Sequence, residues 1–303
     1  MRLPDLPVPE VTEGTVLVKA QAAALNPVDN ALAAGTMAQM IPRQYPLVLG
    51  RDAAGTVEAI GPGGHQRGGR RRGDRAHAAD PPVRLGTLGH HALPATAVTA
   101  KPAGRDFTTA AAIPLAGTAA LAAVDAIGVK PGQVILVVGA SAYAVPLLAA
   151  RGAAIVTTGA ADDAARLTRL GAAAVVDYNP WGTWLAKSRA RYPDGVDALI
   201  DLVSHAPDGL AMDAVRLGGT AASTLGAADE PVLAGRRLTG ANVMAVPVNT
   251  TSEVIPPRGL PGGGPCAVGP AGGSAWLVQA GGGRGEPARR GGRPRCRLRQ
   301  LQP

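Results

Sequence analysis

The sequence is poor in cysteine and has no long apolar run, and each shortage excludes a class of protein. Its only cysteines are Cys266 and Cys296, so we expect no disulfide framework. No apolar stretch reaches the roughly 18 uninterrupted residues that a membrane-spanning helix needs. The first residues also lack the pattern of a signal peptide. We therefore predict a cytoplasmic protein without a membrane partner.

Aromatic residues are also scarce. They make up 3% of the 303 residues, whereas hydrophobic residues make up 46%. The core must therefore consist of Ala, Val, Leu and Ile, whose thin side chains suit helices packed closely on a sheet. The length is sufficient for two domains of ordinary size.

The net charge of +8 is concentrated in two patches. Residues 256–303 hold eight Arg against one acidic residue, and residues 61–75 hold five Arg against Asp74. The rest of the chain is slightly acidic. The Arg runs at 67–75 and 284–299 contain no aromatic residue that could stack on a base. We therefore predict no nucleic-acid partner, and polyanion binding through the Arg-rich tail is a less favoured alternative.

The first part of the chain, residues 1–106, is predicted to be a mostly β domain. Residues 14–25 alternate as a strand does, and the segment Asn26–Asp29 begins a short helix or turn. Residues Tyr45–Gly63 are typical of strands in a small barrel, interrupted by the glycines Gly50, Gly55 and Gly61.

From Phe107 the pattern changes to that of an α/β domain, predicted over residues 107–240. An Ala-rich helix with a break at Pro114 comes first. Short apolar strands then alternate with helices, which indicates a doubly wound parallel sheet. The predicted strands are Val134–Val138, Ala154–Thr157, Ala174–Val176, Leu199–Val203 and Thr220–Leu225, and the predicted connecting helices include residues 162–173 and 207–219.

Two segments are predicted after this domain. Residues 241–255 form a return segment. Residues 256–303 contain thirteen Gly and eight Pro, which leaves too little apolar surface to offset the entropy of ordering the chain. We therefore predict a disordered tail there.

A series of motifs in this order resembles one family. The motifs are "NPVDNALAAG", "YPLVLGRDAAGTVEAIGPG", "GDR", "AAIPLAGTAALAAV", "KPGQVILVVGAS", "LTRLGAAAVVDY" and "GVDALIDLV". Together they resemble the medium-chain dehydrogenase/reductases, in the zinc-free quinone oxidoreductase branch that includes zeta-crystallin. The resemblance covers about residues 7–60 and 73–255.

The resemblance implies a GroES-like catalytic domain, a Rossmann domain and NAD(P)H held between them. It also implies hydride transfer to a small quinone, enone or related carbonyl substrate. Homodimers are common among such relatives, but the sequence does not determine the oligomeric state. At the end of the second Rossmann strand stand Thr158 and Gly159, without the acidic residue that binds a ribose hydroxyl in NADH enzymes. NADPH is slightly favoured over NADH, mainly by the resemblance to this branch, and Asp162 and Asp163 are expected to start a helix.

The phosphate-binding turn departs from the family pattern. Relatives have "GASGGVGSYAVPLAAARGA" where this chain has "GASAYAVPLLAARGA", so four residues of the glycine turn are missing. Glycines there allow backbone N–H groups to approach a pyrophosphate. Gly139 remains, followed by Ala140 and by Ser141, which is placed to cap a shortened helix. We therefore expect impaired cofactor binding, with a non-catalytic remnant of the family as the alternative.

Other departures suggest damage to the gene. Relatives begin earlier, with a β-hairpin, and Arg, Gly and Pro replace patterned sequence after Gly63 and in the tail. Such replacement is typical of a shifted reading frame in GC-rich DNA. We therefore expect a truncated and partly frameshifted member of the family.

Further site residues follow from the resemblance. Asn26 matches a family Asn near the nicotinamide and substrate, although Asn before Pro also simply opens turns. Thr118 matches a position near the nicotinamide ring, although a helix hydroxyl also bonds back to a carbonyl. Asp197 and Asp201 are predicted at strand ends, and Asp201 is the one expected to line the cofactor groove. No side chain is evident as a proton donor.

No metal is predicted. The zinc-binding "GHE" step of alcohol dehydrogenases is "GRD" here, at Gly50–Asp52. The adjacent His90 and His91 would project in different directions from a strand and cannot both face one ion. We therefore interpret them as a surface loop pair.

Overall fold

The computed structural model describes most of the first 243 residues and four short later strands. The described ranges are 7–36, 49–62, 89–95, 98–101, 105–139, 142–179, 183–243, and the strands at 253–254, 266–267, 276–280 and 296–298. The chain forms two compact units, the first running to Leu115 and the second beginning at Ala116. The domain boundaries predicted at residues 106, 240 and 255 stay a prediction.

The first unit is built around an antiparallel sheet. Its elements are β1 (Thr15–Ala24), α1 (Pro27–Ala34), β2 (Asp52–Ile60), β3 (His90–Pro94), β4 (Val98–Ala100) and α2 (Phe107–Ala111). Strand β1 lies between β2 and β3 and pairs with both. Alternate residues of the strands face a small core of Val16, Val18, Ala53, Val57 and Leu93. The β-rich character predicted for this part of the chain is confirmed.

The predicted interruption at Gly55 is wrong, because β2 runs through this residue. A Cβ at Gly55 would lie 2.0 Å from the carbonyl oxygen of Lys19. The glycine therefore permits a close approach of β1 and β2 instead of ending a strand.

Helix α3 (Pro114–Ala126) leads into the second unit. The strands of this unit are β5 (Val134–Val138), β6 (Ala154–Gly159), β7 (Ala174–Asp177), β8 (Val196–Asp201), β9 (Val215–Ser223) and β10 (Thr239–Asn242), and its further helices are α4 (Ala144–Ala150), α5 (Ala164–Arg169), α6 (Thr183–Arg191) and α7 (Glu230–Gly235). All the strand pairs are parallel. The spatial order is β10-β9-β8-β5-β6-β7.

This strand order is the one of the Rossmann fold, in which the order reverses between the first and fourth strands. Here the reversal lies between β5 and β8. The central strands are apolar on both faces, as covered parallel strands must be, and Ile135, Leu136, Ile155, Leu199 and Ile200 are fully buried. The predicted doubly wound parallel sheet is confirmed.

Two predictions within this unit are wrong. Strand β8 ends at Asp201 and does not continue to Val203, because the carboxylate of Asp201 accepts hydrogen bonds from the backbone that follows it. The segment 207–219 is not a helix. It contains two short 3-10 turns, Pro207–Gly209 and Met212–Ala214, after which Val215 pairs with β8.

The predicted tail lies largely outside the described residues. Within it the backbone forms β12 (Cys266–Ala267), β13 (Trp276–Ala280) and β14 (Cys296–Leu298), and before it lies β11 (Glu253–Val254). The disorder of the tail stays a prediction. Among the described helices, none combines the length and the apolar character needed to cross a membrane.

Candidate functional site

Asn26 stands at the start of α1, where two carboxylates bind it. Its backbone N–H donates to Asp29 Oδ2 at 2.7 Å, and its side-chain Nδ2 donates to Asp52 Oδ2 at 2.9 Å. Asp29 also accepts from Gly50 N at 3.2 Å. The sequence spacing explains the first contact, since an acid three residues into a helix reaches back to its start. The half-buried Asn26 is therefore held in a defined position.

Asp52 is the buried centre of this network. It is 1% exposed, and its carboxylate accepts from Leu115 N as well as from Asn26. Burial raises the pKa of Asp52 to about 7, against the lowering effects of these two hydrogen bonds. Asp29, also 1% exposed, raises this pKa further, whereas Arg51 lowers it. The first unit therefore holds a carboxyl group that changes charge near neutral pH.

Thr118 lies in the second turn of α3. Its hydroxyl Oγ1 is buried and has no hydrogen-bond partner among the residues that the structure describes. The bond back to a helix carbonyl, which was the alternative interpretation of this residue, is not formed. A buried hydroxyl without a partner is costly, so Thr118 fits a position where a ligand supplies the missing hydrogen bond.

Gly139 follows β5 directly, at the carboxyl edge of the parallel sheet. Its φ of +87° favours glycine, and a Cβ there would lie 2.7 Å from Val203 Cγ1. Its N–H donates to Thr158 Oγ1 at 2.9 Å. Two predicted cofactor residues, Gly139 and Thr158, are thus in contact at the sheet edge where this fold binds nucleotides.

Asp201 ends the neighbouring strand β8 and is fully buried. Its carboxylate accepts from Val203 N at 2.9 Å, from Ser204 N at 2.7 Å and from Ser204 Oγ at 2.8 Å. These bonds hold the loop that places Val203 against Gly139. Asp201 therefore fixes the loop that follows β8 at this edge of the sheet.

Gly159 is the last residue of β6 and pairs with Asp177 of β7. After it, Asp162 and Asp163 lie in a 3-10 turn that precedes α5, as the sequence predicts. Asp163 forms two hydrogen bonds with the guanidinium group of Arg166, at 2.5 and 2.6 Å. The hydrogen bond with Arg166 lowers the pKa of Asp163.

A dinucleotide would fit the frame of this site. The switch of strand order, the positive φ of Gly139 and the buried Thr118 hydroxyl without a partner among the described residues are features of a ligand site. Two predicted residues, Ala140 and Ser141, lie outside the described residues. Helix α4 starts at Ala144 and is seven residues long, and its first cap residue, Tyr143, makes no side-chain capping hydrogen bond.

The two adjacent histidines lie on strand β3 and only His90 is at the surface, so their interpretation as a surface loop pair is wrong. His90 is partly exposed and bonds to Glu58 Oε2 at 2.8 Å, whereas His91 is 6% exposed. Burial, followed by the effect of His90, lowers the pKa of His91 to about 4. Their opposite directions agree with the strand alternation that the sequence predicts. No group of three or more metal-ligating side chains occurs among the described residues.

Sequence reasoning missed the role of Asp52. It noticed this residue only as the third member of "GRD", the step in which a zinc-ligating His was sought. The one available signal was an acid at the start of an otherwise apolar strand. Arg166 was missed also, although its spacing of three residues from Asp163 is typical of helix-start ion pairs.

Comparisons with known proteins find that this chain is similar to oxidoreductases. The sequence profile of the alcohol dehydrogenase GroES-like domain matches residues 12–84. The chain is 30% identical over 243 residues to a "2-methylene-furan-3-one reductase" of Solanum lycopersicum, which covers 75% of this chain and 59% of that protein. It is 32% identical over 206 residues to a "Chloroplast envelope quinone oxidoreductase homolog" of Arabidopsis thaliana, which covers 63% of this chain and 61% of that protein.

A solved structure is also similar to this chain. The crystal structure of an NAD-dependent alcohol dehydrogenase matches with a TM-score of 0.65 and 30% identity, over 79% of each chain. The predicted family resemblance is confirmed. The chain spans about three fifths of the length of the two named relatives.

Proposed function

The chain belongs to the medium-chain dehydrogenase/reductase superfamily, and on this premise we propose that it is an NAD(P)H-dependent oxidoreductase of the quinone oxidoreductase type. The proposed substrate is a small quinone, an enone or a related carbonyl compound. The reductase and quinone oxidoreductase names of its relatives support this class. The location would be cytoplasmic, and no nucleic acid or membrane takes part; a homodimer is left open.

One observation carries the proposal. The parallel sheet reverses its strand order between β5 and β8, and Gly139 stands at that point with a φ of +87°, which favours glycine. Open α/β sheets bind their ligands outside the carboxyl ends of the strands at such a reversal. When bound there, the nicotinamide nucleotide supplies the hydride.

Each candidate residue has a proposed role. Gly139, together with Ala140 and Ser141 that follow it in the sequence, has the role of binding the pyrophosphate, while Thr158 and Gly159 have that of binding the adenosine ribose. Asp201 supports the edge by fixing its loop, since its carboxylate is occupied by Val203 and Ser204. Asn26 and Thr118 act on the nicotinamide or the substrate.

NADPH is the favoured cofactor over NADH. No acidic residue stands at Thr158 or Gly159 to bind an unphosphorylated ribose. The next acids in the chain include Asp163, whose charge is paired with Arg166. Direct titration with each nucleotide tests this choice, and tighter binding of NADH would contradict it.

We further propose that the cofactor binds weakly. The segment Gly139–Tyr143 contains one glycine, and α4 is short, so fewer backbone N–H groups can approach a pyrophosphate. The test inserts Gly-Gly-Val-Gly after Ser141 in the full chain. The matched control inserts Ala-Ala-Val-Ala at the same place, which adds the same length without the glycines.

The measurement is NADPH fluorescence during titration, followed by turnover of a small enone. We expect the glycine insertion to tighten NADPH binding by about tenfold or more, as about 1.4 kcal/mol of additional binding energy would. We expect the alanine insertion to have no such effect. Equal binding by both variants would contradict the role of the glycines, and absence of binding at millimolar NADPH in all the forms would exclude the enzyme.

A second candidate function is a non-catalytic remnant of the family. The missing turn residues and the seven-residue α4 favour it. The same titration separates the two, because a remnant folds but binds no nucleotide even after the glycines are restored.

A further inference from the structure

The N–H group of Gly139 already has a hydrogen-bond partner within the second unit. It donates to Thr158 Oγ1 at 2.9 Å, and Thr158 is 3% exposed. A backbone N–H group binds a phosphate oxygen when it has no partner of its own, as at the free start of a helix. The N–H of Gly139 is therefore used by the protein and not by a pyrophosphate.

This hydrogen bond extends the contact between β5 and β6. The backbone pairing of the two strands reaches Val137, opposite Thr157. Gly139, the first residue after β5, is then joined to β6 through the side chain of Thr158. On the side of β8, Val203 of the following loop lies next to Gly139. The glycine is thus held between elements that belong to both neighbouring strands.

A glycine gives a turn a definite shape only when a contact fixes it. Gly139 has a φ of +87°, but glycine adopts positive and negative φ about equally well. Backbone freedom that is lost on binding weakens the binding of a ligand, unless it has been lost beforehand. The hydrogen bond to Thr158 removes this freedom in the folded chain before any ligand binds.

We propose that Thr158 is a positioning residue, which holds the N–H of Gly139 and thereby fixes the start of the turn that receives the pyrophosphate. Gly139 then acts on the pyrophosphate through its backbone conformation and not through its N–H. This role comes in addition to the contact of Thr158 with the adenosine ribose, and it rests on the proposed function for its ligand. The hydrogen bond itself can be tested without any ligand.

The neighbouring threonine provides a matched control. Thr157 is fully buried, and its hydroxyl donates to the carbonyl oxygen of Val137 at 3.1 Å. Thr157→Val and Thr158→Val make the same change at adjacent residues of β6, and each removes a hydroxyl that bonds to nearby backbone. Thr158→Val alone of the two removes the bond to Gly139. The pair therefore separates the position of the turn from the stability of the sheet.

The first experiment measures hydrogen exchange of the Gly139 amide by NMR in the full chain without a ligand. Labelling of the valine carbonyl carbon and the glycine nitrogen marks two Val–Gly steps, Val138–Gly139 and Val268–Gly269. Loss of one signal in Gly269→Ala assigns the other. A second sample labels the isoleucine carbonyl carbon and the leucine nitrogen, which marks the single Ile–Leu step of the chain, Ile135–Leu136.

The amide of Leu136, in the middle of β5, reports opening of the whole sheet. We expect Thr158→Val to raise the exchange rate of Gly139 relative to Leu136 about fivefold or more, comparable to the loss of one hydrogen bond. Thr158→Ser keeps the hydroxyl and should keep the protection, and Thr157→Val should leave the ratio unchanged. An unchanged ratio in Thr158→Val would overturn the proposal. So would a wild-type Gly139 amide that exchanges as fast as an exposed one, whether or not the variant folds.

The second experiment titrates the wild type and both valine variants with NADPH and with inorganic pyrophosphate, which has no ribose. We expect Thr158→Val to weaken the binding of both ligands about fivefold, and Thr157→Val to change neither by more than about twofold. A loss confined to NADPH would assign Thr158 to the ribose alone. Equal losses in the two variants would show a general loss of structure. Either result would overturn the positioning role.

The complex with NADPH gives a further readout. The Gly139 amide proton should keep its bond to Thr158, so we expect no scalar coupling between this proton and the phosphorus of the cofactor. Such a coupling would overturn the proposal. If the wild type binds neither NADPH nor pyrophosphate, the proposed function fails, and the exchange measurement decides by itself whether Thr158 holds Gly139.

Discussion

The carboxylate of Asp52 in the first unit and those of Asp201 and Asp163 in the second are held in different ways. In the first unit the key hydrogen bonds join distant parts of the chain: Asn26 to Asp52 over 26 residues and Asp52 to Leu115 over 63. In the second unit Asp201 binds the backbone two and three residues ahead, and Asp163 binds a side chain three residues ahead. Local contacts form with the element itself, whereas the distant ones exist only after the sheet and helices have assembled.

The difference also appears in the charges. Asp52 is buried, and its pKa is raised to about 7, whereas the hydrogen bond with Arg166 lowers the pKa of the exposed Asp163. The distant contacts therefore bury the carboxyl group of Asp52, which makes its ionised form less favourable. The local contact with Arg166 stabilises the ionised form of Asp163. The following predictions test this contrast, from the largest expected effect to the smallest.

The largest effect is expected from the ionisation of Asp52. Its pKa is higher in the folded chain than the usual 3.8, so its contribution to stability is fully present below pH 3.8 and is lost as the pH rises through about 7. The free energy of unfolding should fall across this window by up to about 4 kcal/mol, at about 1.4 kcal/mol per pKa unit. Denaturant unfolding at several pH values measures it.

Asp52→Asn provides the control for this slope. It should remove the fall between pH 4 and 7, whereas Asp163→Asn should remove a small slope of opposite sign. A lowered pKa contributes stability at higher pH that is lost as the pH falls. An unchanged pH dependence in Asp52→Asn would show that another group is responsible.

A smaller loss is expected from Gly139→Ala. The new Cβ would require a φ of +87° and would lie 2.7 Å from Val203 Cγ1, which together cost about 2–3 kcal/mol. Thermal and chemical unfolding measure the loss. Gly235→Ala is the matched control, because a Cβ there meets no atom within 4 Å. If both variants lost the same stability, the packing of Val203 on Gly139 would not matter.

Partial rescue sharpens this prediction. Gly139→Ala combined with Val203→Ala removes the overlapping methyl group but leaves the strained backbone. The double variant should therefore recover the part of the loss that is due to the overlap. A double variant less stable than the sum of its two single changes would contradict this.

The smallest effect is expected from Arg166→Ala. Its ion pair with Asp163 is formed by side chains that are 44% and 30% exposed, and exposed pairs contribute about 0–1 kcal/mol. The loss of stability should therefore be below about 1 kcal/mol and should shrink in high salt. A loss that salt does not reduce would indicate packing by the Arg166 side chain instead of its charge.

The fold could be predicted from the sequence to a large extent because its signals are local. Apolar runs such as Val134–Val138 and stops such as Gly171 recur at the spacing of a parallel sheet with helices. The boundaries of β8 and β9 were less predictable. Asp201 ends β8 before two further apolar residues, through hydrogen bonds that the apolar pattern does not contain.

The candidate site divides in the same way. The sequence indicated Gly139, Thr158 and Asn26 through a family pattern, and it indicated Asp162 and Asp163 as the start of a helix. It did not indicate that Thr158 receives the N–H of Gly139, 19 residues earlier. It also did not indicate that His91 is buried. Two adjacent histidines do not by themselves tell whether they lie on an exposed loop or on a strand with one buried face.

By itself the sequence determined the family and most of the order of the elements, and it predicted the loss of glycines from the phosphate-binding turn. These depend on residue type and short spacing, which fix backbone preference and periodicity. Only the tertiary structure decided that Asp52 accepts a hydrogen bond from the Asn26 side chain and that burial raises the pKa of Asp52 to about 7. Burial and contacts across 26 and 63 residues arise from the packing of whole elements, and no local pattern encodes the dielectric surroundings of a side chain.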